Sequence, residues 1–219
     1  MRTGRGLLLA LLFVWGAAPA AAQLAPRTMA GAGMGVSWVS MADIADLANR
    51  ASTGGERVSE FTSAVIFSGL ASVPLSADWA VALDYGYMVV SYTSPGYAGE
   101  NDFTAKVHLP TLVFQYTLLR EKTYAIRAGA GAGYWFGMLD QTLERQENSF
   151  NASGAGFLLN LEAQTAFSDD FYGSIAGEAR WGGLGELTNE NGQRPSVLGE
   201  PATLAFFGVG VRFGFAYHF

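Results

Sequence analysis

The chain has 219 residues, no cysteine, and 19 acidic residues against 13 lysines and arginines, a formal charge of −6. It therefore has neither a disulfide framework nor thiolate chemistry, and its acidity argues against nucleic acid as a partner. Half of the residues are hydrophobic, yet past the first 22 positions no apolar run approaches the ~20 residues of a membrane-spanning helix.

The N-terminus reads as a processing segment. Arg2 and Arg5 give a basic start, Leu7 to Val14 is an unbroken apolar run that Trp15 to Ala18 continue, and Ala20-Ala21-Ala22 fits a small-x-small cleavage site. This pattern predicts a secretory signal peptide over 1–22, cut before Gln23. No cysteine follows the cut to carry a lipid anchor. Removing 22 residues from 219 leaves 197, enough for one domain. Removing Arg2 and Arg5 leaves 11 basic residues against 19 acidic ones, a charge of −8.

From there the chain alternates. Strands are expected at about Met29–Val39, Phe61–Val73, Trp79–Tyr92, Lys106–Leu119, Thr123–Leu139, Ser153–Phe167, Phe171–Leu184 and Ala202–Phe219. The second, fourth and sixth connections are short: Leu75 to Asp78, Arg120 to Lys122 and Ser168 to Asp170. The first, third, fifth and seventh are longer and polar. The last strand is the clearest. Val209, Val211, Phe213, Phe215, Tyr217 and Phe219 occupy every second position, with Gly210, Arg212, Gly214, Ala216 and His218 between them. One face is an apolar ladder and the other is small and polar.

A chain that stops on phenylalanine after such a ladder resembles the C-terminal strand of outer-membrane β-barrels. The resemblance to small barrels of the OmpA/OmpX type covers the whole mature chain and rests on pattern, not on an invariant motif. It implies an all-β fold, an eight-stranded antiparallel up-and-down barrel in the Gram-negative outer membrane, with both termini periplasmic. It also implies that Phe213, Phe215, Tyr217 and Phe219 are the signal read by the barrel assembly machinery. Membrane lipid and lipopolysaccharide are the other implied partners, and a monomer is expected.

Eight strands with alternating short turns and long loops suit a closed barrel, since hydrocarbon leaves no backbone group unpaired. Strands of 13 residues or more exceed the ~9–11 needed to cross, so the surplus is expected to project as a stiff rim. Trp38, Trp79, Tyr92, Tyr134, Trp135, Phe171, Trp181 and Phe219 near strand ends are read as interfacial belts.

The charges sort by position. The long loops take 12 acidic residues (Asp43, Asp46, Glu56, Glu60, Glu100, Asp102, Asp140, Glu144, Glu147, Glu186, Glu190 and Glu200) against Arg50, Arg57, Arg145 and Arg194. Such loops suit divalent-cation bridging to lipopolysaccharide, or solvation alone. Asp84, Arg127, Glu162, Glu178, Arg180 and Arg212 instead fall inside strands, each opposite its strand's apolar ladder. On the lipid face a midplane Arg or Lys costs roughly 2–4 kcal/mol, so these six are expected in the lumen. Gln115, Asn160 and Gln164 share that face. An eight-stranded barrel is narrow enough for side chains to fill. The expectation is a polar plug, with a ligand or proton pathway as the alternative. The inward Gly31, Gly33, Gly35, Gly129, Gly131 and Gly133 either relieve crowding or leave a small water-filled cavity.

One helix is expected, over Met41 to Ala51, with Ser40 and Asp43 as a capping box and Gly54-Gly55 ending it. It would cap the barrel mouth or lie at the interface. Chemistry is poorly provided for. Of two histidines, His218 is penultimate. His108 has Thr111 as its nearest hydroxyl and Asp102 and Glu100 in the preceding loop. The serine two positions past the histidine, expected in outer-membrane lipid A deacylases, is Pro110 here. Gly129 to Gly133 lies within a strand and is not a phosphate loop. No loop has the acidic spacing of an EF-hand. No catalytic set, cofactor site or metal site is assigned. The function expected is a non-enzymatic envelope barrel, structural or binding through its loops, with a small channel or a lipid-modifying enzyme as the other readings.

Overall fold

The computed structural model describes residues 27–54, 57–97, 99–143 and 146–219. The expected signal peptide, Glu56, Glu144 and Arg145 lie outside these. The barrel strands are β1 (Met29–Ser40), β2 (Phe61–Pro74), β3 (Trp79–Gly96), β4 (Gly99–Arg120), β5 (Tyr124–Leu143), β6 (Gln146–Ala166), β7 (Phe171–Glu186) and β10 (Thr203–His218). A two-residue ribbon, β8 (Ser196–Val197) with β9 (Glu200–Pro201), sits in the last connection. All neighbours are antiparallel, and β1 closes the sheet on β10, from Met29 opposite His218 to Ser40 opposite Phe207. Closure leaves the sheet no free edge.

At the end where Arg27 and Phe219 lie the connections are tight. Two of them use the same device: Ser76 Oγ accepts from Trp79 N, and Ser168 Oγ accepts from Phe171 N, at 3.2 Å each. Arg27, just before β1, pairs with Asp170 at 2.6 Å and donates to the Phe219 carbonyl oxygen at 3.0 Å.

The opposite end corrects the sequence reading. The third and fifth connections are not long loops. β3 and β4 stay paired up to Gly96 opposite Gly99, and β5 and β6 up to Leu143 opposite Gln146. Glu100, Asp102, Asp140 and Glu147 are therefore strand residues. Only the first and last connections are long, and the first carries helix α1 (Ala42–Ala51).

The helix lies across the mouth with Ile44, Ala45, Leu47 and Ala48 buried beneath it. The expected capping box does not form. Met41 occupies the N-cap position without a side-chain bond, while Ser40 Oγ donates to Glu60. The Asp43 carboxylate accepts from both N and Oγ1 of Thr203, 2.7 Å each, fastening the helix to the start of β10. The helix ends at Ser52, before the two glycines, and Asn101 Nδ2 donates to the Ala51 carbonyl at 2.9 Å. That bond supplies a partner to one of the carbonyls a helix end leaves open. Replacing Asp43 with alanine is expected to cost about 1–2 kcal/mol. It should make the 41–60 segment the first site of limited proteolysis, while the gel-shifted barrel survives.

A polarity inversion along the strands organises the interior. On β3 the outward residues from Trp79 to Val89 are all apolar or aromatic, and the inward ones include Asp84 and Gly86. Ten residues span roughly 33 Å along a strand, or about 25 Å of height at the usual ~40° tilt, the thickness of an apolar barrel girdle. Past that level the faces exchange character. Ser91 and Thr93 point out, while Met88, Val90 and Tyr92 point in and are buried. β5 and β6 do the same, with Asp140, Thr142 and Asn151 outside and Leu139 and Phe150 inside. The projecting halves of β3–β6, helix α1 and Leu187 and Ala202 of the last connection close around one apolar core. The molecule is a girdled barrel carrying a small dome with a water-type core.

Candidate functional site: a sealed lumen

The lumen is closed in two layers of opposite chemistry. The lower layer contains the charges expected there. Arg212 Nη1 donates to Asp84 Oδ2 at 2.7 Å, and its Nη2 lies 3.0 Å from Glu178 Oε1, an ion pair outside hydrogen-bond angles. Arg180 Nη2 donates to Glu178 Oε2 at 2.9 Å and to Asp84 Oδ1 at 3.5 Å. Two carboxylates thus each bridge the same two guanidiniums in a ring. Since β3 lies diametrically opposite β7 in the strand order, the Asp84–Arg180 contact braces the barrel across its axis. Glu162 sits at the margin, 4.0 Å from Arg212 Nη2 and accepting from Gln164 Nε2.

Arg127 is not in this ring. It pairs in register with Glu162, but no carboxylate among the described residues reaches ion-pair distance, and its Nη1 points to Met29 Sδ at 3.1 Å. Gln115 is bonded to Ser72 Oγ at 3.0 Å. Gly31 and Gly33 border a small cavity with Ser68, Gln164 and Ser174 below Arg212, and an added Cβ at either would sit 2.7 or 2.6 Å from a β10 carbonyl oxygen, so close strand approach also requires them. Gly129 is filled over by Asn160, and Gly133 is covered by the Pro110 carbonyl and Trp135.

The upper layer is apolar, which corrects the expectation of a purely polar plug. Its centre is Trp135, fully buried, stacked on Phe206 with centroids 5.5 Å apart. The indole N–H donates to Thr111 Oγ1 at 3.1 Å, and Thr111 donates to the Leu109 carbonyl at 3.0 Å. The ring lies against Gly156 and Gly182, where an added Cβ would sit 2.0 and 2.8 Å from its atoms. Trp135 and Tyr92 are expected in the belts for their nearness to the predicted strand ends, but their parity turns both inward. Trp38, Trp79, Tyr134, Phe171, Trp181 and Phe219 do face outward. The available signal was the run Tyr87 to Val90 in β3, and Tyr134 to Phe136 in β5, where both parities are hydrophobic at once.

The candidate catalytic atoms do not meet. His108 is on the outer wall, its Nδ1 2.6 Å from Tyr85 Oη and its ring 5.0 Å from that of Tyr87. Thr111 points into the lumen, and Asp102 accepts from Thr93 Oγ1 at 2.8 Å. His218 lies against Tyr172 at the terminal mouth, the rings tilted with centroids 4.3 Å apart. Phe213, Phe215, Tyr217 and Phe219 form an outward row, with Phe215 stacked on Phe171 at 5.4 Å.

No family model matches the chain, and no curated protein does. Solved structures do. Neisserial surface protein A (NspA) superposes with a TM-score of 0.56 at 10% identity, over 88% of this chain and 97% of that one. Ail, the attachment invasion locus protein of Yersinia pestis, gives 0.50 at 12% identity, over 90% of this chain and all of that one. The Escherichia coli outer-membrane protease OmpT gives 0.48 at 9% identity, too distant to carry an argument. Together with the closed eight-strand meander and its apolar girdle, these likenesses give the chain the fold of the small outer-membrane β-barrels of OmpA/OmpX type.

Proposed function

We propose that this protein is a non-conducting, non-enzymatic barrel of the outer membrane that holds a rigid dome at the cell surface for structural or binding purposes. In this reading residues 1–22 direct export and are removed, both termini face the periplasm, and the outward aromatic row ending at Phe219 is the segment the assembly machinery reads. The dome then stands among the lipopolysaccharide sugars. The observation that carries the reading is the double seal. An ion-pair ring and an apolar core with a helix over it occupy successive levels of one narrow lumen. A conducting barrel has no use for a buried Trp135, and a ring of paired charges offers a permeant ion no unpaired site. The dome's polar outer faces, including the Lys106–Asp140 pair at 2.7 Å, provide a surface suited to contact.

The test is single-channel recording of the refolded protein in a planar bilayer, after confirming a heat-shifted gel band. A baseline current is expected. Discrete, steady openings would overturn the closed-lumen reading and favour a small channel, with Asp84, Glu178, Arg180 and Arg212 along its path.

A further inference from the structure

The terminal mouth of the barrel contains an arrangement that the sealed lumen does not use. Arg27, Arg120 and Arg127 converge on one small concavity, open to solvent, between the ends of β2, β3, β4 and β5. Three cations sharing one concavity repel each other unless something negative is supplied. Among the described residues, only Arg27 of the three has a carboxylate within ion-pair distance, Asp170. Among the described residues, Arg120 is bonded to a hydroxyl, Thr117 Oγ1 at 3.1 Å, and Arg127 to a thioether, Met29 Sδ. A guanidinium carries five donors in a fixed fork, and sulfur is a weak acceptor. Glu162, the register neighbour of Arg127, turns toward Gln164 and Arg212 instead.

The rest of the pocket adds donors. Thr117 Oγ1 accepts from Arg120 and Ser76 Oγ accepts from Trp79 N, and each hydroxyl retains a proton that it can donate. Guanidinium forks and hydroxyls around one concavity match the several oxygens of a tetrahedral oxyanion. Trp79, which also lines the pocket, faces outward at the girdle's edge, its ring tilted against that of Tyr116 with centroids 4.9 Å apart. The pocket thus opens at headgroup level.

We propose that this pocket is a binding site for a phosphate-class oxyanion, with Arg120 and Arg127 as its principal ligands. The same chemistry is available from free phosphate and from a phospholipid headgroup of the adjoining leaflet.

The test is calorimetric titration of the full chain in phosphate-free non-ionic detergent with 150 mM chloride, which screens diffuse attraction. One probe is inorganic phosphate, and the other is dihexanoyl-phosphatidylglycerol below its micelle concentration. Saturable binding of one equivalent is expected, weakened at least tenfold in Arg127→Gln and in Arg120→Gln. The second variant lies at a strand end, outside the buried ring, so it tests the site even if the first misfolds. Binding of phosphate supports the site with a free oxyanion as sufficient ligand. Binding of the lipid alone supports it with the headgroup as source. No saturable binding of either probe, or affinity unchanged in Arg120→Gln, overturns it.

Discussion

Arg212→Ala is expected to cost about 3–5 kcal/mol of folding free energy, the range for breaking one partner out of a buried pair. Arg212 is within ion-pair distance of three carboxylates, Asp84, Glu162 and Glu178, and all four groups are less than 10% exposed. Removing it leaves Arg180 as the sole cation of the ring beside three acids. Urea unfolding in detergent, followed by tryptophan fluorescence and by loss of the heat-shifted band, measures the change. A companion variant separates charge imbalance from lost packing. Arg212→Met combined with Asp84→Asn removes one charge of each sign and keeps most of the volume, so it should recover at least half the loss. An Arg212→Ala protein as stable as the parent would mean that the ring is not what braces the lumen.

The second large effect lies one layer higher. Trp135→Ala empties the middle of the apolar core and leaves Thr111 without its indole donor; the expected loss is about 3–5 kcal/mol. Gly156→Val alone should also destabilise, by about 1–3 kcal/mol, because its side chain would enter the space the Trp135 ring fills. In the Trp135→Ala background the same valine fills part of the hole, so its effect should shrink or change sign. A double-mutant cycle measures this coupling. Additive losses would show that ring and glycine do not share one space.

Much of this was written plainly in the sequence. Strand parity placed Asp84, Glu162, Glu178, Arg180 and Arg212 on one interior surface, because a period of two leaves a mid-strand charge only two faces and hydrocarbon forbids one of them. The ladder ending at Phe219 gave the closing strand. Parity could not say where along a strand the surroundings change from lipid to water. Above that level Tyr92 and Trp135 are ordinary core residues, and Asp102 and Asp140 are ordinary surface strand residues. Read without the level, the first pair looked like belt aromatics and the second like loop acids. Arg127 shows another limit. Its parity puts it in the lumen with the other charges, but side-chain direction decides its partner, and Glu162, opposite it in register, bonds Gln164 instead.

The inverted upper halves of β3 and β4 have a mechanical consequence. Their ladder runs unbroken from the girdle to Gly96 opposite Gly99, and Tyr97, in the turn beyond, is 89% exposed. Eight residues beyond Val89 carry the tip roughly 20 Å above the girdle at the usual tilt. Because both backbones stay paired and their inner faces are anchored in a packed core, this hairpin behaves as a post and not as a tether. A peptide grafted at its tip would be displayed at a fixed height and orientation, with none of the reach that a flexible loop of equal length would trade for precision.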